Sequence, residues 1–545
     1  MSARRLQKIS YIVLFSAFIV WAILFLYQSS YIALDGHRYF GLFDDAMISM
    51  RYAWNFAHGQ GLVWNAGQRV EGYSNLLMTL VMSLAAVFLT KPFAVLAVQI
   101  FGVFTMLATA FIVKKMANEI NEGRPYQGLI AVLSVACVLF YYPLNYWTLM
   151  GMETGLMTLL LLAATLLALR WHRARQPLDL YKASLLAGLA FLTRNDSLVP
   201  SAIIFAFLFV EAYVNKWDRL AWRTLFYAVA LFLIFPLAQT GFRIIYYGQL
   251  LPNTYTLKLT RFPLSVRLIG GVNFTLPFVE QTAFALLLAA LAVLLNFKPV
   301  RLLLFTFIIA AMAYQIYVGG DPWDSWRMLA PAMPAVFILG ITACADLASR
   351  ASWLASHKYA SFALISMLSV ASLFLTDLPF FPDVFVRAPT SAAIANHINT
   401  NTAIAIDSMT TPAATVGVIW AGTLPYYVDR RAIDFLGKSD SYIAHLNADV
   451  SGAVSWGGMR SVPGHNKYDL DYSIVELQPT YIQGFAWGDQ TVKPWVTQNY
   501  VRVEYHGVQG MKTLFLRKDS PEVCWQGCGN DYKIIPWPKQ GQNNP

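Results

Sequence analysis

Charge is what this sequence has least of. Only 13% of its 545 residues are Asp, Glu, Lys or Arg, about half the share in an ordinary soluble domain, while 57% are hydrophobic. That balance excludes a soluble globular protein for most of the chain. Cysteine is scarce as well, and four residues exclude a disulfide scaffold. Cys137 and Cys344 lie in apolar runs and read as small packing residues. Cys524 and Cys528, in CWQGC, fall in the polar tail, where a local disulfide is expected if that tail lies outside the cytosol. No GxGxxG after a strand, P-loop, HExxH or GxSxG occurs, so soluble nucleotide, zinc-peptidase and serine-hydrolase chemistry are not signalled.

What is present is a series of apolar runs of about 16 to 22 residues, recurring from Tyr11 to Asp377, close to the roughly 20 residues a helix needs to cross the hydrocarbon. From about Leu378 onward Asp, Asn, Gln, Gly and Pro become frequent and no spanning run appears. The chain therefore reads as a polytopic α-helical membrane domain, residues 1–378, followed by a soluble α/β domain, residues 379–545. The basic N-terminus resembles a signal peptide, but its apolar stretch is too long and no small-residue cleavage site follows, so a retained first helix is expected.

The net charge of +10 does not point to nucleic acid, because the basic residues sit in short clusters between apolar runs. These are Arg4, Arg5 and Lys8; Lys114, Lys115 and Arg124; Arg170, Arg173, Arg175 and Lys182; Lys216, Arg219 and Arg223; Lys298 and Arg301; and Arg350 and Lys358. Taken as cytoplasmic ends, they give about 11 spans, with the N-terminus inside and the C-terminal domain outside. Two short runs need special placement. Leu76–Thr90 lies along the outer surface or re-enters, and Ala183–Leu192 is a short inner half-span meeting the outer side near Arg194. The remaining polar motifs then collect on the outer face: FDDAMISMRY, VEGYSN, GMETG, TRNDS, YYGQLLPNTYTLKL and GGDPWDSWRMLAP. Since the orientation used only Lys and Arg, this gathering points to one polar site at the outer boundary.

Each motif has a structural reading beside a functional one. One acid before AMISMRYAWNFA makes an N-cap for an interfacial helix, but Asp44 and Asp45 together repel near hydrocarbon unless a metal, a hydroxyl or a cation holds them. A divalent cation is thus one candidate companion, and no resident cofactor is otherwise called for. Glu153 opens a span, where a first-turn acid also suits the helix dipole. Arg194, Asn195 and Asp196 interrupt an apolar stretch, and a broken helix there must line a cavity or be buried in protein. Arg194 is either an anion ligand or the partner of Asp196. Lys258 and Arg327 are single outer cations, which either snorkel to headgroups or, with Arg194, bind a lipid-borne phosphate. In the tail, residues 402–437 read as strand, small-residue helix, strand, with Asp407 and Asp434 near strand ends, and a hairpin is expected around Gln509–Gly510. His465 sits in a turn, where a lone surface His is ordinarily solvated polarity.

The run DDAMISMRYAWNFAHGQGLVWNAGQRVEGYSNLLMTL resembles the first outer loop of polyprenyl-phosphate-dependent membrane glycosyltransferases of the GT-C fold, in particular the mycobacterial-type terminal arabinofuranosyltransferases and their Gram-negative relatives. The likeness continues in GMET, LTRND, YYGQLLPNTYTLKL, GGDPWDSWRMLAP, YYVDRRAIDFLGKSDSYIAH and PGHNKYDLDY, nearly the whole chain. Relatives tend to have TRPE where this chain has TRND, so Arg194 carries over more readily than Asp196. The resemblance implies a GT-C membrane domain with a periplasmic α/β domain in the bacterial inner membrane. It also implies a polyprenyl-phosphate sugar donor, an acceptor hydroxyl on an envelope glycan, lipopolysaccharide or pilin, and catalytic carboxylates in the first outer loop. Arabinofuranose is the first guess for the sugar. Asp44 and Asp45 are then the catalytic pair, one as base. The substrate-binding candidates along the motifs are Arg51, Glu71, Tyr73 and Asn75 in the first loop, and Glu153, Arg194 and Asp196 at the next two. Asn253, Lys258, Asp321, Arg327 and His465 complete the set. A transporter or flippase for a lipid-linked glycan also uses broken, charged helices, and a non-catalytic glycan-binding subunit is a third reading.

Overall fold

The computed structural model describes residues 3–323, 325–450, 462–485, 492–507, 510–525 and 532–537. Among them nine helices are long and apolar enough to cross a membrane, from Ala3–Gln28 at the start to Lys358–Asp377 at the end. The pair Gln127–Phe140 and Tyr142–Leu149, which bends by 51° at Tyr141, makes a tenth span if counted as one. Pro143 follows the bend at the start of the second helix, where its missing N–H costs nothing. The helix Pro177–Thr193 is longer than the expected Ala183–Leu192 half-span because Pro177 starts it two turns earlier. It packs against Thr154–Ala174 and Arg219–Tyr247. The total is thus close to the eleven spans expected. Leu76–Phe88, at 13 residues, is too short to cross, and Leu89 turns extended before Lys91–Ile120 begins.

This is a multi-pass membrane protein, and its outward surface fits one. Ile245, Leu294 and Phe88 are 84%, 80% and 75% exposed, a pattern stable only where lipid replaces water around the side chains. At the other pole, Arg301 is buried rather than facing headgroups. It donates to Asp346 (2.7 Å), which Arg124 also contacts, so part of the basic signal there ties helices together.

Beyond the last span, a six-stranded mixed sheet runs in the order Arg431–Asp434, Thr415–Val418, Tyr481–Ile482, Gly510–Arg517, Tyr500–Gly507, Tyr532–Ile535. The first three strands are parallel, Val416 lying opposite both Ala432 and Tyr481, and the rest antiparallel. The hairpin is present, its turn at 508–509 lying outside the described residues. One expectation fails. Residues 402–407 are not a strand but the end of the helix Ser391–Met409, with Asp407 inside it. Thr390 caps that helix by accepting the Ala393 amide (3.2 Å), and Ala403, Ile406 and Met409 are buried at helical spacing, which outweighs the local alternation of TAIAID. Asp434 does end its strand.

The sheet is not a separate appendage. Ile48, Tyr52, Leu62, Trp64 and Tyr73, from the segment after the first helix, share one apolar core with Val416, Val418, Leu424 and Leu514. Each such aliphatic side chain contributes about 1.5–3 kcal/mol on full burial, so the helix bearing Asp44 and Asp45 is fixed between the membrane domain and the sheet.

Candidate functional site

Asp44 and Asp45 form the first turn of the helix Asp44–Ala57, where the dipole favours carboxylates. The helix start is pinned by Phe43, whose amide donates to the Met150 carbonyl (2.9 Å) in the GMET turn. Gly151 turns there at φ +78°, and a Cβ would run into Leu42.

From this start the two side chains diverge. Asp45 accepts from Arg327 Nη1 at Oδ2 (2.8 Å) and from Lys438 Nζ at Oδ1 (2.6 Å). Arg327 is held in turn by Asp321, through Nε (3.0 Å) and Nη2 (2.7 Å). Burial pushes Asp45 up, but Lys438, Arg327 and Lys258 outweigh it and hold the carboxyl well below the usual range. Asp44 makes neither ion pair. Its Oδ1 accepts the Thr423 amide (3.1 Å), and Gly422 lies so close that a Cβ would strike the Asp44 carbonyl oxygen. Burial therefore dominates, and its pKa is raised to about 6 with Lys438 opposing.

Lys438 comes from the C-terminal sheet region. Asp434, at a strand end, accepts the amides of Leu436 (3.0 Å) and Ser439 (2.7 Å), closing a turn in which Gly437 takes φ +75°. Asn253 donates from outside the turn to the carbonyls of Gly437 and Lys438, each at 2.9 Å. Lys438 was not among the sequence candidates. The signal for it was the strand-ending Asp434 followed by Gly437 and a lone lysine within DFLGKSD.

Asp45, Tyr73, Asn75, Glu153, Arg194, Asp196, Lys258, Asp321, Arg327 and Lys438 all line one open cavity of about 1120 Å³. Arg194 bridges Glu153 (2.5 Å) and Asp196 (3.0 Å), so it is the partner of Asp196 and at the same time a wall of the cavity. Asn75 donates to the second oxygen of Glu153 (3.0 Å) and accepts from Ser49 (2.9 Å). Lys258 differs from the other cations, having no hydrogen bond or ion pair among the described residues. Burial, with Arg327 beside it, lowers its pKa to about 8. Because the lining carries four carboxylates and four cations, an entering anion must use Lys258 or draw Arg327 and Lys438 away from Asp45.

Besides Asp44, four candidates do not line this cavity. Arg51 is spent on the protein itself, donating to the carbonyls of Trp64 (2.6 Å), Pro425 and Arg430 (2.7 Å) and stacking on the Trp64 ring. Glu71 is buried in an ion pair with Arg243. Asn253 holds the Lys438 turn rather than facing the cavity. His465 is no solvated surface group. It lies edge-on to Trp323 (5.8 Å), and burial and nearby Lys438 lower its pKa to about 3, leaving it neutral. Among the described residues no three His, Cys, Asp or Glu side chains gather to hold a metal ion, and the cations beside Asp45 are Arg327 and Lys438. Cys137 and Cys344 are free and buried; Cys524 is disulfide-bonded, while Cys528 lies outside the described residues.

The helical bundle, its short non-spanning helix Leu76–Phe88 and the sheet domain beyond the last span have the GT-C fold. Two solved structures share it: ArnT from Cupriavidus metallidurans bound to undecaprenyl phosphate (TM-score 0.52, 13% identity, 78% of this chain and 85% of that chain), and the Archaeoglobus fulgidus oligosaccharyltransferase in its apo form (TM-score 0.51, 12% identity, 95% of this chain and 75% of that chain). Among curated proteins, the terminal beta-(1->2)-arabinofuranosyltransferase of Corynebacterium glutamicum is 24% identical over 332 residues, 53% of this chain and 46% of that protein. The chain thus spans about half the length of the curated relative it matches. Residues 391–525 match a family described as a domain of unknown function, DUF8728.

Proposed function

We propose that this protein is a membrane glycosyltransferase that moves a sugar from a polyprenyl-monophosphate carrier to a hydroxyl of a cell-envelope acceptor at the periplasmic face of the bacterial inner membrane. The observation that carries this reading is a cation cluster at the head of an apolar groove. Asp196, Tyr314, Gln315 and Met328 line both the charged cavity and a groove of about 700 Å³ walled by Met157, Leu161, Val199, Pro200 and Phe307. A phosphate seated on Lys258, Arg327 and Lys438 would leave its isoprenoid chain in that groove. ArnT, of like fold, has been seen bound to undecaprenyl phosphate. The arabinofuranosyltransferase of C. glutamicum makes arabinofuranose the first sugar to try.

The roles follow from the electrostatics. In the reaction the acceptor hydroxyl loses its proton as its oxygen bonds to the sugar C1, and the bond between C1 and the phosphate oxygen breaks, releasing polyprenyl phosphate. Asp44, with its pKa raised to about 6 and no cation paired to it, is the better proton acceptor. Asp45, kept ionised by Arg327 and Lys438, orients those cations. The leaving phosphate gains charge, which fixed cations in a secluded site stabilise best. Glu153, through Asn75 and Arg194, shapes the sugar end of the cavity.

Mass spectrometry of envelope glycans, lipopolysaccharide and pilins from a deletion strain tests this. A pentose or hexose should be missing, restored by the wild-type gene but not by Asp44→Ala or Asp45→Ala. Unaltered glycans in the deletion strain, or full restoration by both variants, would refute the proposal.

A further inference from the structure

The two aspartates serve different chambers. Asp45 walls the charged cavity, whereas Asp44 walls a second, open cavity of about 1640 Å³ that shares no lining residue with the first. One side of this second space is a chain of touching rings. Phe380 stacks on Tyr142 (5.5 Å), Tyr142 meets Tyr146 (5.7 Å), and Tyr146 meets Trp147 (5.0 Å). Phe43 stands edge-on to both Trp147 (4.8 Å) and Trp323 (4.9 Å), and Trp323 adjoins Trp420 (5.8 Å). Gln281, Asp383, Asn396 and Asn399 face the same space. Asn399 accepts from Gln483 (3.1 Å), but its own NH2 group and the Asp383 carboxylate have no hydrogen-bond or ion-pair partner among the described residues.

We infer that this chamber binds the acceptor and that the acceptor is a saccharide, an inference that rests on the transferase reading above. Flat rings beside one unspent amide NH2 group, that of Asn399, and the Asp383 carboxylate suit a molecule with apolar C–H faces and a rim of hydroxyls, which is the surface of a sugar ring. An acyl chain would leave the Asn399 NH2 group and the Asp383 carboxylate unpaired, at a desolvation cost. Some 690 Å³ of this open space is accessible to a ligand, within the roughly 300–1,000 Å³ of ordinary small-molecule pockets, so a sugar unit fits. A hydroxyl presented from here reaches Asp44 first, and the donor lies beyond, on the side of Asp45.

The test uses the purified full-length protein in detergent. Tryptophan fluorescence is titrated with soluble arabinan, galactan and mannan oligosaccharides and, separately, with an unglycosylated synthetic peptide. Dodecaprenyl phosphate binding is measured on the same samples. At least one oligosaccharide should bind saturably. Trp420→Ala should weaken it about tenfold, Trp420→Phe should keep most of it, and dodecaprenyl phosphate affinity should stay the same in both. The inference is overturned if no oligosaccharide binds the wild type, if only the peptide binds, or if Trp420→Ala binds saccharide as well as wild type. Failure of dodecaprenyl phosphate to bind the wild type would instead refute the donor reading, leaving the saccharide result to be judged separately.

Discussion

Neighbouring carboxylates of identical chemistry acquire opposite acidities here, because one is paired with cations and the other is only buried. This fixes a pH profile. Asp44 must be ionised to take a proton, so transfer should fall as pH drops through about 6. Lys258 must be charged to attract the donor phosphate, and its lowered pKa of about 8 places the alkaline limb there. Bound phosphate raises the lysine's pKa, so that limb should appear in kcat/KM for the donor and shift upward in kcat. A profile flat from pH 5 to 9 would contradict both assignments. Lys258→Ala should raise the donor KM about tenfold or more, by removing a charge-assisted contact worth roughly 1.5–3 kcal/mol, and should abolish the alkaline limb. At this scale the sequence was legible where a polar residue interrupted an apolar pattern, as with Asp45, Glu153, Arg194 and Lys258. It misled at Arg51, Glu71 and Asn253, whose partners are backbone carbonyls or a distant Arg243 that only folding brings near.

Among the elements, what matters is how the C-terminal sheet reaches the membrane site. It does so twice, through the Gly422–Thr423 contact on Asp44 and the 434–439 turn that presents Lys438. Gly422→Ala should push the start of the Asp44–Ala57 helix and cost about 10² in kcat, the usual penalty for a displacement near 1 Å, while the protein still elutes as a folded species on size exclusion. Wild-type turnover in that variant would show that the contact is incidental. The elements themselves were readable to different degrees. Long apolar runs declared their helices, and the hairpin was plain from strand propensity. The helix Ser391–Met409 was missed at its end because TAIAID alternates locally, while its true period shows only when Ala403, Ile406 and Met409 are seen packed on the sheet.

At the scale of the whole molecule, the fold places every charged residue of the proposed site at one end of the bundle. If that end is periplasmic, Arg431→Cys on the sheet domain should react with a membrane-impermeant maleimide in intact spheroplasts. Tyr359→Cys, 91% exposed at the opposite pole, should react only after permeabilisation. The reverse pattern would invert the topology and remove the site from the periplasm. The Lys and Arg positions give an expected orientation, which this labelling tests; the separation of the site into two chambers could not be read from the sequence, since Phe43, Trp147, Trp323 and Trp420 are far apart in the chain and read singly as core aromatics. The central claim is sugar transfer from a lipid phosphate with Asp44 as base, and it is tested most directly by purified protein in proteoliposomes supplied with radiolabelled polyprenyl-phosphoryl arabinose and an envelope-glycan acceptor. The account predicts labelled acceptor with the wild type and a loss of about 10²–10⁴ in rate with Asp44→Asn at unchanged donor binding, whereas equal rates in the two proteins would contradict it.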